Sequence, residues 1–336
     1  MKRATMNDVA KRADVSKATV SHVINNTRFV EESTRRRVLL AITELDYRPN
    51  AAARSLTTQK TGIIGMVIAD ATNLFFSEML IGAEDIIRAK NYGLVVCNTN
   101  EILEHEDHYL NLLLGQRVDG IIAAATSQRW NALIQAEVQH TPVVFVDRAF
   151  DRLDGPFVGV DNYGGAVTGT EYLIQRGHRQ LGILAGLQRL STMRERLSGF
   201  CHTLEKADLR CHDEWVVMSE LTIDSGKEAA LRILSQEDRP TALFVNNNLL
   251  CLGALLALRE LDLRCPEDIS LISFDDHPWA AVADPPLTVV RQPAWQVGRH
   301  AAEILCNILS GNSGSLPAQQ ILPCELIVRK SVMTVN

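Results

Sequence analysis

Ten short runs of β-branched and apolar residues punctuate positions 62–293, and they constrain the fold more than any other feature. They read GIIGMVIA, GLVVCNT, GIIAAA, TPVVFVD and FVGVD, then LGILAG, WVVMS, ALFVNN, ISLISFD and LTVVRQP. Between them lie segments with apolar residues at helical spacing, such as FSEMLIGAEDIIRAK and SGKEAALRILSQ. Strands apolar on both faces, alternating with amphipathic helices, predict an α/β fold of doubly wound parallel sheets covered by helices. Two modules of roughly 130–150 residues fit the length.

In such sheets ligands collect beyond the carboxyl ends of the strands. After the first run come Asn73, Phe75 and Phe76, and after VVFV come Asp147 and Arg148. Arg196 lies in RERLSGF, Asn247 follows ALFV, Asp275 follows LISF and Gln292 follows LTVVR. Aromatic faces beside carboxylates, amides and guanidinium groups suit a polyhydroxylated ring. Vicinal hydroxyls donate to carboxylate and accept from guanidinium, while C–H faces stack on rings. The expected ligand is a pyranose monosaccharide or close derivative. Asp147, Arg148 and Arg196 are expected to be poorly paired until it binds. The sequence shows no P-loop, no GxGxxG between strand and helix, no nucleophile elbow and no metal spacing, so neither an enzyme nor a cofactor is expected. His178, in QRGHRQLG, falls at a helix-to-strand turn, where a capping or surface role is expected.

The net charge of −6 conceals a division. Residues 1–60 carry +6 and the remainder −12, so a polyanion would meet only the head. Seven scattered cysteines, with no CxxC pair or Cys/His cluster, are expected to be reduced thiols at mostly buried positions. The start MKRATMNDVAKRA has no apolar secretory core, and a cytoplasmic location is expected.

In the head, Thr5 and Asp8 mark a helix start, with Met6, Val9, Ala10 and Ala13 on one face. Asp14-Val15 makes a break. Ser16 can cap a second helix with Thr19, Val20, Val23 and Ile24 inward, leaving Lys17, Ala18, Ser21 and His22 outward. Ser33 or Thr34 is expected to start a third helix with Val38, Ala41, Ile42 and Leu45 inward, and Pro49 to end it. This is the helix-turn-helix plan. Lys17, Ala18 and His22 are expected to read base edges in a major groove: Lys17 to guanine acceptors or phosphate, His22 as donor or acceptor, Ala18 against a thymine methyl. Thr5, Ser16, Ser21, Asn25 and Arg35 are candidates for the phosphate backbone.

The segments DVAKRA, VSKATVSHVIN and YRPNAAARSL together resemble the LacI/GalR family of transcription repressors, and the likeness covers nearly the whole chain. The purine and ribose repressors are especially similar. The resemblance implies a helix-turn-helix headpiece over 1–49 and a hinge over 50–61. The hinge would order only on operator DNA and wedge Leu56 into the central base step. It also implies a periplasmic-binding-protein-like effector and dimerisation domain over 62–333. Lobe 1 would take about 62–161 and 292–322, and lobe 2 about 162–291 and 323–333. The strand-end residues named above keep the ribose-binding residue types. Leu221 stands where a third aromatic is usual, Asn248 where an Asp is usual, and Leu190 where a purine repressor has arginine. A homodimer on a palindromic operator is implied, and the tail LIVRKSVMTVN carries no heptad repeat of the tetramer-forming kind. A purine effector is the alternative, and a sugar-binding transport protein the disfavoured one.

Overall fold

A computed structural model describes residues 4–47, 60–125, 141–149, 155–312 and 319–335. The chain divides between Thr61 and Gly62 into two compact units.

The first unit holds helices α1 (Met6–Ala13), α2 (Lys17–Asn25) and α3 (Glu32–Glu44). Thr5 and Asp8 form a reciprocal capping box, the Asp8 carboxylate accepting from the Thr5 N–H at 2.9 Å. Asp14 ends α1 in the left-handed region, which aspartate tolerates better than most residues. Ser16 then caps α2, its hydroxyl accepting from the Thr19 N–H at 3.0 Å. Val9, Val20, Val23, Val38 and Tyr47 close a small core. The third helix starts before the expected Ser33 or Thr34, because Ser33 donates to the Glu31 carboxylate at 2.8 Å instead of capping. It also ends before Pro49: Leu45 is its C-cap, and Asp46 turns the chain at φ 42°.

The second unit contains two six-stranded sheets. One comprises β1 (Ile63–Ile68), β2 (Gly93–Asn98), β3 (Gly120–Ala123), β4 (Val143–Val146), β5 (Phe157–Val160) and β11 (Gln319–Leu322). Its order is β11-β5-β4-β3-β1-β2, parallel throughout. The other comprises β6 (Leu181–Leu184), β7 (Val216–Val217), β8 (Ala242–Val245), β9 (Ser270–Phe274), β10 (Thr288–Arg291) and β12 (Glu325–Ile327), ordered β12-β10-β9-β8-β6-β7. All ten anticipated strands are present. The two unanticipated strands, β11 and β12, lie at sheet edges with alternating or partial exposure, so no continuous apolar run marks them. β12 departs from the expected parallel order by pairing antiparallel with β10.

Helices α4 (Leu74–Ala89), α5 (Leu103–Gly115), α6 (Asn162–Gln175), α7 (Ser191–Lys206), α8 (Ile223–Leu234), α9 (Asn248–Glu260), α10 (Pro278–Val282) and α11 (Ala294–Leu309) complete this unit. After β10 the chain returns to the first sheet as α11, packed along α4. Their backbones meet at glycines: a Cβ on Gly298 would stand 1.8 Å from the Met79 carbonyl oxygen, and one on Gly82 2.0 Å from that of Trp295. Ile64, Met66, Val144, Ala301 and Leu305 form the core beneath this pair, and Leu243, Val245, Leu271 and Ala254 one core of the second lobe.

Candidate functional site

Strand order reverses between β2-β1 and β3 in the first sheet, and between β7-β6 and β8 in the second. A crevice opens at such a reversal, at the carboxyl ends of the strands. There the structure gathers all ten residues singled out from the sequence. Asn73, Phe75 and Phe76 come from beyond β1, Asp147 and Arg148 from beyond β4, and Arg196 from α7. Leu221 follows β7, Asn247 β8, Asp275 β9 and Gln292 β10, and together these line one cavity of ≈ 70 Å³. Asp70, Glu101, Thr192, Met193 and Leu249 complete its wall. Ligand pockets usually enclose about 300–1,000 Å³, so this space by itself is small for one. A larger cavity of ≈ 600 Å³ adjoins it, sharing Phe75, Asp275 and Gln292, and is lined by Glu78, Arg291, Trp295 and the 322–325 crossover.

Local structure fixes the walls. Asn73 is the N-cap of α4, its side chain accepting from the Phe75 N–H at 3.1 Å, which turns both phenylalanines inward. Their rings meet edge to face with centroids 5.2 Å apart. Asn247 caps α9 by accepting from the Leu250 N–H at 2.9 Å. Asn248, buried behind it, donates to Asp275 at 3.0 Å and to Asn73 at 3.1 Å, linking the lobes. Gln292 donates to the other Asp275 oxygen at 2.6 Å.

The arginines are not the unpaired groups the sequence suggested. Glu101, just past β2, accepts from Arg148 on both carboxylate oxygens, at 2.7 Å from Nη1. Arg196 donates from Nε to Asn162 at 2.8 Å and from Nη1 to the Asn246 carbonyl, with its guanidinium carbon 3.8 Å from the Phe274 ring centroid. It serves the second lobe as a buried brace. Among the residues lining this cavity, two buried side-chain atoms lack a hydrogen bond: Arg148 Nε, a donor, and Gln292 Oε1, an acceptor. The Arg148 Nε atom lies 3.3 Å from Asp147 Oδ2, out of line for a hydrogen bond. Burial pushes the Asp147 carboxyl up to about 6, against the pull of Arg148 and Arg196 and with the push of Glu101 and Asp275.

His178 departs from its expected surface or capping role. It is 1% exposed, its Nδ1 lies 2.9 Å from the Thr241 hydroxyl, and burial holds its pKa down. Of the seven cysteines, all free thiols, Cys97, Cys251 and Cys306 are buried and four are half-buried. Among the described residues no cluster of His, Cys, Asp or Glu could hold a metal ion.

In the first unit, Lys17 and Ala18 are exposed at the start of α2. His22 is half-buried, its Nδ1 2.8 Å from the Thr27 hydroxyl, so the ring is oriented before any DNA arrives. The backbone candidates all have partners within the chain: Thr5 and Ser16 as caps, Ser21 accepting from Asn25 at 3.2 Å, and Arg35 donating to Asn26 at 2.9 Å. The hinge segment and Leu56 lie outside the described residues.

Residues 5–50 match the model of bacterial regulatory proteins of the lacI family, and residues 170–332 that of a periplasmic binding protein-like domain. The HTH-type transcriptional repressor PurR of Vibrio vulnificus is 38% identical over 335 residues, covering 99% of this chain and 100% of its own. The chain belongs to the LacI family. As a member it is a DNA-binding transcription repressor with an effector domain. Among solved structures, the Lac repressor dimer bound to operator and the anti-inducer ONPF superposes with a TM-score of 0.89 at 27% identity, covering 99% of this chain and 100% of that one. A protein assigned as the ribose operon repressor of Burkholderia thailandensis gives 0.73 at 34% identity, covering 79% and 98%. No described helix is long and apolar enough to cross a membrane.

Proposed function

We propose that this LacI-family repressor answers to a neutral pyranose sugar bound between its lobes. The observation that carries this reading is a pair of buried atoms in one cavity wall that make no hydrogen bond, the Arg148 Nε donor, which only pairs in charge with Asp147, and the Gln292 Oε1 acceptor. A hydroxyl accepts and donates at once, so adjacent sugar hydroxyls satisfy both while a C–H face meets Phe75 or Phe76. Four carboxylates, Asp70, Glu101, Asp147 and Asp275, outnumber Arg148 and Arg196 in the wall, which disfavours sugar phosphates and sugar acids. The purine reading is favoured by the PurR relatives. Against it, Leu190 is an apolar residue buried at the start of α7 and brings no charge to the cavity.

The experiment is a thermal-shift screen of aldopentoses, aldohexoses, sugar acids, sugar phosphates and purines against the full chain. A neutral sugar should raise the melting midpoint and should fail to do so with Asp147→Ala. A shift from hypoxanthine or guanine alone would replace the sugar reading by the purine one.

The protein is further proposed to act as a cytoplasmic homodimer on a palindromic operator, with Lys17, Ala18 and His22 reading bases and Leu56 wedging the central step. Support for the dimer comes from Val95 and Val96, 41% and 42% exposed on the edge strand β2, since an apolar edge left open is normally covered. Sedimentation of Val96→Glu should show monomers where the parent chain shows dimers.

A further inference from the structure

Cys201 and Cys211 are separated by nine residues and share no motif, yet the fold brings their sulfurs to 3.3 Å. Cys201 lies on the outer half of α7, and Cys211 on the segment leading into a short 3₁₀ turn, Asp213–Trp215, ahead of β7. Both residues are half-buried, so a small reagent can approach. Among the described residues this is the one hydrogen-bonded pair of thiols.

We infer that Cys201 and Cys211 form a reversible disulfide by exchange with a low-molecular-weight disulfide such as oxidised glutathione. The two thiols are already in hydrogen-bond contact. Either sulfur can donate to the other, so a thiolate formed on one accepts from the S–H that remains, while Asp213 opposes ionisation of both. Either thiol can attack first while the other resolves, and both orders end in the same bridge. Where Cys211 attacks first, its thiolate takes one sulfur of oxidised glutathione; that S–S bond breaks and one glutathione thiolate leaves. Cys201 then loses its proton and attacks Cys211 Sγ in the mixed disulfide, releasing the second glutathione. Two electrons pass from the cysteine pair to glutathione disulfide, and the two thiol protons end on the released glutathiones.

The bridge would tie together two segments that carry cavity residues. Thr192, Met193 and Arg196 stand on α7, and Leu221 follows β7.

The test equilibrates the reduced full chain with excess oxidised glutathione, quenches with acid, alkylates the remaining thiols and maps peptides by mass spectrometry. Two of the seven thiols should be lost per chain, a peptide pair joining Cys201 to Cys211 should appear, and reductant should restore both. Cys201→Ser and Cys211→Ser should each stop at a single glutathione adduct on the remaining thiol of the pair, because the resolving thiol is gone. Retention of all seven thiols, a bridge through other cysteines, or disulfides only between chains would overturn the inference.

Discussion

Asp147 leaves β4 at φ 67° and Asp275 leaves β9 at φ 75°, a left-handed turn that suits aspartate and brings a carboxylate from each sheet to one cavity. Burial lifts Asp147 from 3.8 to about 6. Between those values the folded chain holds a proton that the unfolded chain has lost, so this residue makes stability fall as pH rises through the window. The loss is on the order of 3 kcal/mol, at about 1.4 kcal/mol per unit. Asp147→Asn cannot ionise. Its melting midpoint should therefore gain on the parent chain from about pH 4.5 to about pH 7.5; a gain that does not change with pH would contradict the buried-carboxylate account. His22 belongs to the same scale. Its ring is already held by Thr27, so His22→Ala removes a preset contact and should relax base preference at one position per half-site, by roughly 1–3 kcal/mol. A binding-site selection returning an unchanged motif would remove His22 from the reading set.

At the scale of elements, most of the chain was legible. The ten strand runs and the caps Thr5 and Ser16 carry local signals, because buried parallel strands must be apolar and helix starts must satisfy free N–H groups. Strands β11 and β12 carried none, being edge strands of mixed polarity. Glu101 was legible in principle: it follows the second strand run as Asp147 follows the fourth, and the same strand-end rule points to it. The pairing of Glu101 with Arg148, and of Cys201 with Cys211, depends on distant segments meeting and no spacing encodes it. The helix contact between α4 and α11 was equally hidden, since Gly82 and Gly298 look like poor helix residues until the backbones are seen to touch. Gly298→Ala pushes a methyl into the Met79 carbonyl, and neither rigid helix can yield. Overpacking of this kind costs about 1–3 kcal/mol, which at about 2–4 °C per kcal/mol for a large unit lowers the melting midpoint by roughly 2–12 °C. Gly115→Ala, with nothing within 4 Å of its Cβ, is the matched control and should be neutral or mildly stabilising. Equal losses in both variants would show that helix propensity, not close approach, governs the site.

At the scale of the whole molecule, the small cavity gives an expected direction of coupling. The ≈ 70 Å³ space is smaller than a sugar ring, and the effector is expected to bind with the lobes further apart than here. A ligand that prefers the wider state draws on a population already present, and it shifts the balance only by its differential affinity. By linkage, the factor by which effector changes operator affinity equals the factor by which operator changes effector affinity. The bond from Asn248 to Asn73 joins the lobes in the closed state, and its loss should favour the wider one. A buried hydrogen bond is worth about 0.5–1.5 kcal/mol, so Asn248→Ala should tighten effector binding by about 2–10-fold. The same substitution should move operator affinity, without effector, in the direction that effector moves it in the parent chain. Calorimetry with the sugar found in the screen and fluorescence anisotropy with labelled operator measure the two quantities on one preparation. Unchanged effector affinity, or an operator shift of opposite sign, would show that lobe separation is not the variable that connects the two sites.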